Sequence, residues 1–171
     1  MNPVLTLESL SMLETKLNYI HKCSDKDILL LVTAVIPQDR LPLQYLKSLS
    51  NRDRTICYRA AMVCWTVTGS TMVPWEMQFC TVLSDFQRKD CIIAAGTGSG
   101  KTLPIALCIH LDDPHANPIT ITISPLKCLQ VTQESDFNMC FKIPTVSINK
   151  DTPHDTNWWN MSKPSFSNHR H

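Results

Sequence analysis

The sequence predicts an α/β protein with a parallel sheet, preceded by a helical N-terminal extension. Three observations carry this expectation. Apolar residues recur at helical spacing through the first seventy positions. A small-polar break follows at Thr68-Gly69-Ser70-Thr71. Beyond it, short apolar runs alternate with helical stretches, a pattern that argues for right-handed crossovers between parallel strands.

In the extension, Leu10, Leu13, Leu17 and Ile20 share one helical face. Ser24, with Asp27 three residues on, reads as the cap of a helix that runs through Ile36 and stops at Pro37. The run Ile28 to Val32 also fits a buried strand, and periodicity leaves both open. Asn51 reads as the cap of a further helix, with Ile56, Ala60 and Val63 on one face and Trp65 near its end. The extension, residues 1–70, carries no chemistry legible in its residues.

After the break, Pro74 stands where a helix begins, with Met77, Val82 and Leu83 facing inward. Asp90 to Ala94 reads as a short strand. A helix runs from Lys101 to about Leu111, with Pro104 in its first turn, where the missing N–H costs least. Ile119 to Ser124 is a β-branched strand, and Pro125 opens a helix to Glu134 or Ser135. Thr145 to Ile148 is the third strand. Residues 151–171 are polar and rich in Pro, Asn and His, and read as a poorly ordered tail in which Trp158 and Trp159 have no evident core.

The 171 residues suit one domain plus a short extension, and 43% hydrophobic against 18% charged residues fits a globular chain. A net charge of +1 gives no whole-molecule basic field. No apolar run is long enough to cross a membrane, and no secretory leader is recognisable. The eight cysteines form no C-x-x-C pair, which favours reduced thiols over a zinc site.

The chemistry concentrates in Ala95-Gly96-Thr97-Gly98-Ser99-Gly100-Lys101-Thr102. Phosphate oxygens need many donors and a close backbone approach. The glycines remove side-chain bulk, and the loop opens a helix whose free N–H groups and dipole favour an anion. Lys101 supplies a point charge for the β and γ phosphates, and the Thr102 hydroxyl is a ligand for Mg²⁺. The expected cofactors are ATP and Mg²⁺. Asp112-Asp113, after the apolar run from Ile105, imitates an acidic strand end. A helix rise of about 1.5 Å per residue sets it about 15 Å from the phosphates, so a solvated turn flanked by His110 and His115 is the better reading.

The loop, with Ala in its opening place, resembles motif I of superfamily 2 helicases. Ser124-Pro125-Leu126-x-x-Leu129-x-x-x-Gln133 resembles motif Ia of the RecQ-like branch. The resemblance covers roughly residues 73–150. It implies a partial RecA-like lobe over 71–150, and an ATP-dependent DNA helicase that unwinds 3′ to 5′. It implies that Gln78 reads adenine, an edge that an amide suits because it both donates and accepts. Ser124, Pro125, Leu126, Lys127 and Gln133 are implied contacts to a single-stranded or duplex DNA backbone, at a helix N-terminus where N–H groups meet phosphate. A nuclear location also follows from the resemblance. The chain departs from the family at Trp75, where the RecQ-like branch carries Arg. The DExH carboxylates and the second lobe with its arginine finger are not found in these residues, so the expectation is of a truncated product that binds nucleotide with negligible turnover. A non-enzymatic nucleotide-binding or interaction module, left from a degenerate helicase gene, is the alternative.

Overall fold

The computed structural model describes residues 7–112 and 119–152. The expectations for Asp113, His115, Trp158, Trp159 and most of the tail lie outside the described residues. The chain divides into two compact units, one ending at Thr120 and the other starting at Ile121.

The first unit contains helices α1 (Leu7–Lys22), α2 (Asp25–Val35), α3 (Leu43–Ser48), α4 (Asn51–Val67), α5 (Glu76–Phe86) and α6 (Thr102–Leu111), with a 3-10 turn at Gln38–Arg40. Each start has a local cause. Ser24 caps α2, its hydroxyl accepting from the Asp27 amide at 3.2 Å. The run from Ile28 is therefore helix, with Ile28 and Val32 both buried one turn apart. Ser50, not Asn51, caps α4 by accepting from the Asp53 amide at 3.1 Å. The hydroxyl one place upstream is the group that reaches that orphan donor. Gly69 and Ser70 take positive φ values of 62° and 66° and turn the chain after α4.

Helix α4 is the centre of this unit and packs against α1, α2, α3, α5 and α6. Ala60, Ala61, Val63 and Cys64 are buried along it, and their small size lets neighbours approach closely. Two of its arginines finish the helices before it. Arg54 donates from Nε to the Leu46 carbonyl at 2.9 Å and from Nη2 to that of Leu49 at 2.9 Å, at the end of α3. Arg59 donates to the carbonyls of Ile20, His21 and Cys23 at the end of α1, and pairs with Asp25 at 3.5 Å. These are carbonyls that a helix end leaves unsatisfied.

The second unit holds α7 (Lys127–Ser135), running into a π turn at Asp136–Cys140. Phe137, Phe141 and Ile143 form its small core, the two rings tilted at 57° with centroids 6.2 Å apart.

The expected parallel sheet is overturned: the described residues contain no strand, and the architecture is helical. A strand needs neighbours to pair its N–H and C=O groups and cover for its apolar side chains. Neither is present. Ile92 is 97% exposed, Ile119 89%, Ile121 80% and Ile123 91%. Helix α6 packs on α4 and α5, burying Leu103 and Leu107 there, instead of covering a sheet. At the third expected strand, side chains take the place of a partner strand. The Asn138 amide accepts from Thr145 N at 3.1 Å and donates to Thr145 O at 2.9 Å. Glu134 accepts from Ser147 N at 3.2 Å.

Candidate nucleotide and nucleic-acid sites

The glycine loop joins a segment without regular secondary structure to α6. Gly98 and Gly100 hold φ of +82° and +71°, a region side chains disfavour. A Cβ on Gly98 meets nothing within 4 Å, so only its dihedral demands glycine. At Gly100 both constraints act, because a Cβ there lies 2.7 Å from Gln78 Nε2. The turn closes with Ser99 N donating to Gly96 O at 3.3 Å. Helix α6 starts at Thr102, directly after Lys101, and its first amides face no intrahelical acceptor.

Lys101 Nζ donates to the carbonyls of Ala95 at 2.9 Å and Gly96 at 2.7 Å. The ammonium is thus folded across the mouth of the loop, where an anion would exchange for two neutral carbonyls. Ser99 Oγ is buried and has no hydrogen-bond partner among the described residues. An orphaned hydroxyl, a helix N-terminus and a lysine on a glycine-lined loop fit a polyphosphate. For a metal, the loop offers the Thr102 hydroxyl, one oxygen donor that suits a hydrated Mg²⁺ bridged by phosphate. No cluster of three metal-ligating side chains occurs among the described residues.

Gln78 is 5% exposed at the start of α5. Its Oε1 accepts from Trp75 N at 2.8 Å, and its Nε2 donates to Gly100 O at 3.1 Å. The side chain therefore ties the first turn of α5 to the end of the loop. Reading this from sequence required seeing that a glutamine at the third helical position reaches back to the amide that precedes the helix. Trp75 itself is 76% exposed. With Arg40, Thr71, Met72 and Val73 it lines an open pocket of about 340 Å³. Arg40 also lies 5.7 Å over the Trp65 ring and donates to Thr71 O at 3.3 Å. Sequence reasoning did not bring Arg40 to this place.

The residues of the expected DNA contact lie in the second unit. Pro125, Leu126, Lys127 and Leu129 are exposed, and Ser124 and Gln133 half-buried. Gln130 Nε2 donates to Ser124 O at 2.8 Å, which holds the turn onto α7. Lys127 is ion-paired with Asp151, a partner that no local motif announces. Asp112 follows the end of α6, exposed, as a solvated turn requires.

No helix of the described residues is long and apolar enough to cross a membrane. No curated protein and no solved structure matches the chain. Residues 76–165 match the model of the DEAD/DEAH box helicase family, a span that includes Gln78, the glycine loop and the segment from Ser124 to Gln133. A domain of this family implies binding of nucleotide and nucleic acid, and its members generally use ATP with a divalent metal. The chain belongs to the DEAD/DEAH box helicase family.

Proposed function

We propose that the chain is the ATP-binding and nucleic-acid-binding portion of a RecQ-like, 3′-to-5′ DNA helicase that acts in the nucleus. The observation that carries the nucleotide reading is Lys101, whose ammonium rests on the Ala95 and Gly96 carbonyls at the mouth of a loop that opens α6. The loop from Ala95 to Gly100 wraps the phosphates, Lys101 neutralises the β and γ groups, and Thr102 holds Mg²⁺. Gln78 sets the loop's end and is the residue assigned to the adenine edge. Ser124, Pro125, Leu126, Lys127 and Gln133 contact the DNA backbone.

Hydrolysis needs a positioned water, a held metal and charge neutralisation in the transition state. The sequence contains no DExH motif, and the proposed activity of this polypeptide alone is binding with negligible turnover. The non-enzymatic module is favoured by one observation, the uncovered Ile92, Ile119, Ile121 and Ile123 where a helicase lobe needs a sheet. Binding of a fluorescent ATP analogue tests the site. Lys101→Ala should weaken it at least tenfold, and unchanged binding overturns the phosphate-loop assignment. A DNA-stimulated ATPase assay separates the two readings, since robust turnover excludes the non-enzymatic module.

A further inference from the structure

A second concave surface lies at the other end of α5, about 12 Å along the helix from Gln78 at 1.5 Å per residue. It is an open cleft of about 570 Å³ between the start of α4 and the end of α5. Arg52, Arg88 and Lys89 line it beside one carboxylate, Asp53, with Phe86 and Ile56 as apolar wall. Asp53 is already engaged, accepting from Ser50 Oγ at 2.8 Å and from Gln87 Nε2 at 3.4 Å. Among the described residues neither Arg52 nor Arg88 has a carboxylate within ion-pair reach.

Two of these cations stand where their own backbone disfavours them. Arg88 takes φ +55° at the end of α5, where its amide donates to Asp85 O at 2.8 Å and the Lys89 amide to Ser84 O at 2.9 Å. Helix ends of this form use glycine, because a side chain at positive φ is strained. Arg52 lies in the first turn of α4, the positive end of that helix dipole. Arg54, close by, is accounted for by the carbonyls it closes. Among the described residues Arg52 and Arg88 have no such structural role, and strain kept at a side chain points to use of that side chain.

We propose that this cleft binds the phosphodiester backbone of single-stranded nucleic acid, separately from the phosphate loop and from the Ser124 segment. The three cations take phosphates and Phe86 offers an edge for an unpaired base, which a duplex does not present. The proposal does not depend on the Ser124 contact.

The test measures anisotropy of a fluorescent oligo-dT with the full chain across a salt series. Each cation that neutralises a phosphate adds about 0.7 to the slope of log K against log salt for a single strand. Arg88→Gly should raise Tm by relieving the strain while lowering affinity several-fold and the slope by about 0.7. Arg52→Gln should lower the slope similarly, with only a small gain in Tm from removing a cation at the positive end of the helix dipole, and Arg88→Lys should keep the slope. Affinity and slope unchanged in both Arg88→Gly and Arg52→Gln overturn the proposal. So does full displacement of the oligonucleotide by excess ATP, which places it on the phosphate loop, or equal binding of poly-glutamate, which marks an acidic-protein surface. Loss of binding in Lys127→Ala with full binding in Arg88→Gly also overturns it, and leaves the Ser124 contact standing.

Discussion

Gln78 Nε2 donates to Gly100 O at 3.1 Å, so the first turn of α5 and the last glycine of the phosphate loop are held as one piece. The same amide fills the space a Cβ on Gly100 would take, 2.7 Å away. Gly100→Ala therefore strains a backbone at φ +71° and pushes Gln78 off its hydrogen-bond partners. We expect a stability loss of about 1–2 kcal/mol from the left-handed backbone alone, and loss of ATP-analogue binding. Urea denaturation and nucleotide titration of the same variant check both.

Gln78→Ala separates the two effects. It leaves the Gly100 carbonyl and the Trp75 amide without their partner, at a cost of about 1–3 kcal/mol if water does not reach them. The loop keeps its glycines, so binding should weaken without disappearing. Equal effects of Gln78→Ala on ATP and GTP analogues would show a tether, and a selective loss of ATP would show base reading.

Arg59 closes α1 from the middle of α4, donating to three carbonyls and pairing with Asp25. Charge-assisted hydrogen bonds are the stronger ones. Arg59→Ala should cost about 2–3 kcal/mol, and Arg59→Lys should recover only part, because an ammonium lacks the planar fork. Midpoints of urea unfolding give the comparison.

The thiols supply a pH prediction. Burial pushes Cys57, Cys64 and Cys108 up from 9 to about 12, with Asp53 adding at Cys57 and Asp85 at Cys108. Below pH 9 the three are thiols in both folded and unfolded chains. Between about 9 and 12 only the unfolded chain loses these protons, so stability falls as pH rises through that window. Thermal melts from pH 8 to 11 should show the decline, and Cys64→Ala should flatten it. Iodoacetamide at pH 8 should mark exposed Cys91, Cys128 and Cys140 well before buried Cys57 and Cys64.

What was legible in the sequence was local. Ser24 with Asp27, Pro37, Gly69 and the glycine loop each set their own backbone, and the helices they delimit follow within a residue or two. The sheet was not legible in this sense. Ile119, Ile121 and Ile123 have the composition of a strand, but pairing depends on a neighbour that composition does not encode. Thr145 shows the same limit, since its backbone partner is the side chain of Asn138. For the site, the loop's chemistry followed from residue types, while Gln78's tether, Arg40's place beside Trp75 and the Lys127–Asp151 pair depend on tertiary approach.

That last pair bears on nucleic-acid binding. Lys127 opens α7 next to the Ser124 turn, and Asp151 holds its ammonium. Phosphate binding through Lys127 must displace that carboxylate, and both side chains are about half or more exposed, at 48% and 65%. An exposed pair contributes only about 0–1 kcal/mol, so the exchange is within reach of a phosphate. Asp151→Asn frees Lys127 and should tighten oligonucleotide binding up to about fivefold, the most that 1 kcal/mol allows. Lys127→Ala should weaken binding, and the double variant should match Lys127→Ala alone. Anisotropy at low salt measures all three. An equal gain from Asp151→Asn with and without Lys127 would show that the carboxylate acts by general repulsion, and would remove Lys127 from the contact.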